Sequence, residues 1–297
     1  MTYLFAMLAA CANAVSSVLQ RKADRQVPTG QNLSVELIRS LLHEPAWFGG
    51  VLAVIVGFLF QAAALGHGEL AVVEPILVIE LPITLLIATR VFRAQLCARE
   101  WGASGAMAAG LAGLLFGLSP RGGSAQHVHW YSWAAGLTIN LAVIAALVAW
   151  GRRGPAGNGP HGRQSSDLQA AVYSVATGAG FGMTAALIKA VTDAFSGGFL
   201  SVLSSWELYA MVATGIGSMF LLQSALNAGP LVAVQPGITL TDPIVSILWG
   251  VLVFHERVRA GWFLTLTVIG GLVMVGAVLV LARSPLLGKA SGEAIAP

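Results

Sequence analysis

The sequence predicts an all-α polytopic membrane protein of about nine transmembrane helices in two inverted-topology repeats. Three observations predict it. Charged residues are only 10% of the 297-residue chain and hydrophobic residues 56%, whereas a soluble domain is about one-quarter charged. The apolar residues gather into nine runs of spanning length. And one part of the chain recurs in the other half with its prolines in register.

The runs cover residues 3–20, 46–66, 70–92, 101–119, 130–150, 168–189, 206–227, 231–254 and 261–282. Each holds on the order of 20 residues, enough for a hydrocarbon core of ~30 Å. Trp47, Trp101, Trp130, Tyr131, Trp133, Trp150, Trp206 and Trp262 fall near run ends, the pattern of an aromatic belt at the lipid–water boundary. Between the first two runs, helical periodicity with interspersed charge predicts an amphipathic helix over 29–44 at the interface. A short apolar piece at Phe199–Leu203 is its counterpart in the second half.

For nine spans, twelve of the sixteen basic residues fall on the side of the 151–167 linker and C-terminus. Four (Arg121, Lys189, Arg257, Arg259) fall on the other. The positive-inside rule then makes the linker and C-terminus cytoplasmic, in a cell membrane. The basic residues form no single face, so the net charge of +3 points to topology and excludes nucleic acid as a partner. Two cysteines, Cys11 and Cys97, give no disulfide framework.

Residues 64–111 set beside 225–272 without a gap match at Ala64/Ala225, Gly68/Gly229, Leu70/Leu231, Val73/Val234, Pro75/Pro236, Pro82/Pro243 and Trp101/Trp262. With six residues of further offset, Ser17 and Lys22 fall beside Thr184 and Lys189. Matching helices are five spans apart, an odd number, so the halves are inverted. The organisation expected is a first repeat over 1–119, a linking span and linker over 120–167, a second repeat over 168–283 and a tail over 284–297. In inverted-repeat transporters the substrate site lies near mid-membrane at the repeat interface.

Polar residues inside the spans mark that site. Glu74 and Glu80 lie in the third span and Asp242 in the eighth. A charged side chain at mid-bilayer costs ~2.5–3.5 kcal/mol on insertion scales, so such acids are read first as functional. In the repeat Glu74 matches Gln235 and Leu81 matches Asp242. Positions seven apart share a helix face, so Glu74, Gln235 and Asp242 line related faces, with Glu80 off that face. Asn13, with Ser16, Ser17 and Gln20, gives the first span a polar face that could satisfy the acids instead. Pro75, Pro82, Pro236 and Pro243 lack amide donors and are expected to break their helices, freeing the carbonyls of Ala71, Val78, Val232 and Thr239. Those oxygens beside Glu80 and Asp242 could ligate a hard cation, or the prolines could simply curve the helices.

Other features read more blandly. Gly113/Gly117 and Gly178/Gly182 have the spacing of close helix crossings. Gln61, Asn140, Gln223 and Asn227 suit interhelical hydrogen bonds. His127-Val128-His129 reads as a loop, His255-Glu256-Arg257 as a solvated turn, and Lys22 and Lys189 as snorkelling side chains.

The segments GELAVVEPILVIELPITLLIA and GPLVAVQPGITLTDPIVSILWGVLVFHERV resemble paired helices of the drug/metabolite transporter superfamily, the EamA-like transporters. The nine spans and short charged second helix resemble its NIPA-like branch. The resemblance implies a secondary transporter, with Mg²⁺ as cargo. A proton-coupled exporter of a small metabolite or drug is the alternative, and a non-transporting scaffold or receptor the third. Expected partners are a small cationic or polar solute and the lipid bilayer, with a homodimer left open. No HExxH, GxSxG or P-loop pattern occurs, so neither an enzyme nor a cofactor is expected.

Overall fold

The computed structural model describes residues 1–24, 45–91, 98–123, 125, 128–152, 160–228 and 231–282. For 20–24, 46–47, 160–167, 226–227, 231–233 and 235 it describes the backbone only. The 29–44 helix, Cys97, His127 and the 284–297 tail lie outside the described residues. So do the side chains of Gln20, Lys22, Asn227 and Gln235.

The described chain is helical. In order it runs α1 (Thr2–Asp24), α2 (Pro45–His67), α3 (Leu70–Leu77), α4 (Glu80–Val91), α5 (Ala98–Leu118), α6 (Trp130–Arg152), α7 (Pro160–Ala194), α8 (Phe199–Ser204), α9 (Trp206–Ala228), α10 (Leu231–Leu248) and α11 (Phe263–Ala282). A 3₁₀ turn covers Phe195–Gly197 and a π turn Trp249–Val253. Among the described residues there are nine membrane-length apolar stretches, α3 and α4 counting together as one. Their outward faces carry large apolar side chains, such as Ile139 on α6, Phe220 on α9 and Leu272 on α11. So much exposed hydrocarbon suits lipid rather than water. This is a multi-pass helical membrane protein.

Packing follows the small residues. α1 lies along α2 and α7 along α9, while α5 crosses α11. At that crossing a methyl group added to Gly110 would stand 2.8 Å from the Gly270 carbonyl oxygen, and one on Gly270 would stand 2.5 Å from the Leu114 nitrogen. Gly178 and Gly182 do the same for α7 on α10. Added methyls would stand 3.0 Å from Ile238 O and 2.8 Å from Asp242 O. Glycine is thus required where backbones touch. α3 and α4 pack on α1, and α3 meets α10.

One end of the bundle is stitched together by its loops, and we call it the Met1 end. Thr2 Oγ1 donates to His67 O at 2.9 Å. Arg121 and Arg257 exchange backbone hydrogen bonds at 2.9 Å each way, and Arg259 N donates to Leu118 O at 3.0 Å. Ala125 N donates to Asp193 Oδ2 at 2.9 Å. Beneath these loops Trp133, Trp206, Trp249 and Phe254 form an aromatic cluster, with centroids 5.2 to 5.6 Å from Trp133.

A break does fall in the span over 70–92, where Val78 and Ile79 form a turn between α3 and α4. Two local expectations are corrected. Trp133 is not in the interfacial belt but buried in the cluster, because α6 turns that face toward α7 and the π turn. Trp101, Trp130, Trp150, Trp206 and Trp262 remain exposed at helix ends. And of the four prolines only Pro82 accompanies a break, since Pro75 lies inside α3 and α10 runs through Pro236 and Pro243.

Candidate functional site: an acidic cavity between the helices

The break at Val78–Ile79 has a clear cause. Pro82 has no amide to give the Val78 carbonyl. Leu81 N bonds to it instead at 3.1 Å, and Ile79 N bonds to Ile76 O at 3.1 Å. Both are three-residue closures, which turn the chain ~120° per residue rather than ~100°. The extra rotation carries Glu80 toward the side that Glu74 faces. The Val78 carbonyl is therefore occupied, contrary to the expectation that it is freed.

Glu74, Glu80 and Asp242 line one cavity of about 470 Å³, together with Asn13 and Ser17 of α1, Gln61 of α2 and Thr184 of α7. Glu80 thus lines the same space as Glu74, although continuous helix geometry put it on another face. Glu74 is 3% exposed and accepts a hydrogen bond from Gln61 Nε2 at 2.9 Å. Ser17 Oγ donates to Glu80 Oε1 at 3.1 Å. Asp242 Oδ1 is buried and makes no hydrogen bond among the described residues. Glu74 and Glu80 are close enough to Asp242 to interact with it electrostatically.

The close crossing of α7 on α10 seats Asp242, since Gly178 and Gly182 press against its backbone nitrogen and oxygen. Ser16, part of the expected polar face of α1, turns away and donates to Gly50 O at 2.9 Å. Asn140 Nδ2 donates to Ala179 O at 3.3 Å, an interhelical bond. Gln223 is exposed.

The cavity wall has two characters. Three acids and several hydroxyls and amides supply acceptors, and no Lys, Arg or His lines it among the described residues. Phe181, Ile188, Leu222 and Ile238 supply an apolar side. Such a mixture, at this volume, matches pockets for small organic ligands. No group of three His, Cys, Asp or Glu among the described residues gathers closely enough to hold a metal ion.

At the Met1 end the structure corrects two more readings. Glu256 is not in a solvated turn. It is 3% exposed, and its carboxylate accepts from Leu70 N at 2.7 Å and Ala71 N at 3.1 Å. It therefore caps α3 from the far half of the chain. Lys189 does not snorkel. It is 4% exposed and donates to Gly68 O at 2.8 Å and Leu65 O at 3.3 Å, at the C-terminal end of α2. The spacing of charges in the sequence carries no signal for either pairing, since the partners are 186 and 121 residues apart.

The fold and cavity define a multi-pass helical membrane protein with an acidic chamber between its helices. An uncharacterized protein of Corynebacterium glutamicum is 27% identical over 285 residues, covering 95% of this chain and 94% of that protein. No protein-family model matches the chain, and no solved structure matches it.

Proposed function

We propose that the protein is a secondary transporter that moves a small cationic solute through the acidic cavity by alternating access. The observation that carries this reading is the three carboxylates with no base around one cavity between the helices. Buried acids are expensive in a bilayer and persist where they bind or move something. Their charge is best balanced by a cation, whether solute or proton.

Within that class the cavity favours an organic cation, such as a small amine, over Mg²⁺. Mg²⁺ takes near-octahedral oxygen ligands at about 2.0–2.1 Å and sheds water reluctantly. An apolar wall with Phe181 and Leu222 gives it nothing, whereas it would cover the carbon skeleton of an amine. Mg²⁺ stays as the second reading because of Asp242, whose buried Oδ1 has no hydrogen-bond partner among the described residues, with the Ser246 hydroxyl beside the carboxyl. Proton-coupled export fits the same residues, since a carboxylate can hold a proton or the solute's charge in turn.

The inverted repeat belongs to this proposal. The α1–α2 pair has its counterpart in α7–α9, and α1 on α3–α4 has its counterpart in α7 on α10. α3 meets its own repeat-mate α10, and α5 meets its repeat-mate α11. A pseudo-twofold axis in the membrane plane between them accounts for all four. With the linker and C-terminus cytoplasmic, the Met1 end is external.

Transport into proteoliposomes tests the reading, with Mg²⁺ and a panel of small amines, each with and without a pH gradient. Saturable amine flux that a pH gradient drives is the expected result. Saturable Mg²⁺ flux indifferent to pH would favour the second reading, and no flux of any cation would overturn the proposal.

A further inference from the structure

The turn between α2 and α3, residues 68–69, is gripped from both sides by the other half of the chain. Lys189 of α7 holds the carbonyls at the end of α2, and Glu256 holds the first amides of α3. Each charge matches the helix pole that it meets. The grip is built into the backbone. The π turn brings Gly250 against the Glu256 carboxylate, and a side chain at Gly250 would collide with it. Gly123, at φ +91°, closes the other side, where an added methyl would stand 2.5 Å from Glu256 Cγ. Glu69 ties this turn onward to Gly122 N at 3.0 Å. α3 carries Glu74 one turn further in.

Resting on the transport reading above, we propose that Glu256 and Lys189 are positioning residues: together they latch α3 against the second repeat, hold Glu74 in the cavity and shut the cavity at the Met1 end. Opening that end requires the Leu70 and Ala71 amides to leave Glu256. Neither residue touches the solute.

The latch responds to pH. Burial pushes the Glu256 carboxyl up from 4.5 to about 7, while the Ala71 and Leu70 amides and the Lys189 ammonium hold it down and Glu69 adds to the rise. Among the described residues, His255 and Arg257 on its own loop and Arg121 across the backbone bridge lie at the same end. Once released into water the carboxyl returns toward its ordinary value. The closed state therefore binds the proton more tightly, so acid favours closure and the end opens as pH rises through about 5 to 7.

The test uses the full chain in proteoliposomes, with Cys11 and Cys97 replaced by Ser and a reporter cysteine at Thr184 on the cavity wall. A membrane-impermeant maleimide is applied from the Met1 side. Each rate is divided by that of a free thiol at the same pH, because maleimide reacts with the thiolate, and the normalised rate is expected to rise on the order of 50-fold from pH 5 to pH 8. Glu256→Gln, which mimics the protonated carboxyl, removes the pH dependence and stays slow. Lys189→Gln labels faster at every pH, and Lys189→Arg restores the original rate. An unchanged pH profile in Glu256→Gln, or equal labelling in Lys189→Gln and the parent, overturns the latch. Amine flux is scored separately, in vesicles of the chain with Thr184 intact. Flux with labelling indifferent to Glu256 sinks the latch alone. Glu256-dependent labelling without flux sinks the transport reading and leaves the latch.

Discussion

α3–α4 and α10 carry the same two prolines in the same register, yet the first is broken and the second is continuous up to a π turn. Proline therefore licenses a break without imposing one, and the neighbouring helix decides. α10 lies against a glycine track on α7, at Gly178 and Gly182, and meets Ser174 of α7 through its own Gly237. Backbones in contact hold it as one helix. α3–α4 packs on α1 without such a track, so the chain at Val78–Ile79 can wind tightly where Pro82 withholds its amide. The difference matters for chemistry. The broken helix aims two acids, Glu74 and Glu80, at the cavity, whereas the continuous one aims only Asp242.

The largest effect expected from breaking this comparison is loss of charge. Glu80→Gln or Asp242→Asn should each lower the transport rate at least tenfold, with expression and melting temperature near those of the parent. Removing a buried charge costs little stability and leaves size and hydrogen bonding in place. A drop in flux that merely tracks a drop in folded protein would count against a role in transport.

Next comes the break itself. Pro82→Ala restores an amide for the Val78 carbonyl and lets α3 and α4 join, which swings Glu80 away. Transport should fall about tenfold. Pro243→Ala, in a helix already continuous, should change it less than about threefold. Equal effects of the two substitutions, measured side by side in proteoliposomes, would remove the proposed difference between the helices.

A smaller, structural effect is expected at the α5–α11 crossing. Gly270→Ala forces a methyl against the Leu114 nitrogen and should destabilise by about 1–3 kcal/mol, the usual cost of overpacking. Gly113→Ala, whose added methyl would stand 3.7 Å from Gly270 Cα, should be nearly neutral. Thermal unfolding in detergent distinguishes them. The smallest expected change is Gln61→Leu, which strips Glu74 of its amide donor. It should alter apparent substrate affinity a few-fold, with little change in maximal rate.

Much of the fold was legible because bilayer thickness dictates it. The runs at 46–66 and 130–150 differ from α2 and α6 by at most two residues at either end, since length and hydropathy alone decide them. Gly178 and Gly182 do mark a close crossing, but of Gly113 and Gly117 only Gly117 meets a backbone closely, and the tightest α5–α11 approach falls on Gly110 and Gly270 instead. Glu74, Glu80 and Asp242 stood out because charge is rare where they sit. What the sequence hid is what tertiary partners decide. The turn at Val78–Ile79 and the π turn at Trp249–Val253 depend on which helix lies alongside. Trp133 looks like any other tryptophan at a helix end until the aromatic cluster closes over it. Glu256 reads as a surface acid because the amides that it caps belong to Leu70 and Ala71, in the other half of the chain.

The central claim is that the acids of the cavity carry a cation across the membrane. The most direct measurement is uptake of a radiolabelled small amine into proteoliposomes by the parent protein and by the Glu80→Gln/Asp242→Asn double variant, at matched reconstitution and with a fixed pH gradient. Saturable uptake by the parent and background uptake by the double variant is the predicted result. Uptake by the double variant at the parent's rate and affinity would contradict it and leave Glu80 and Asp242 with a role in packing alone.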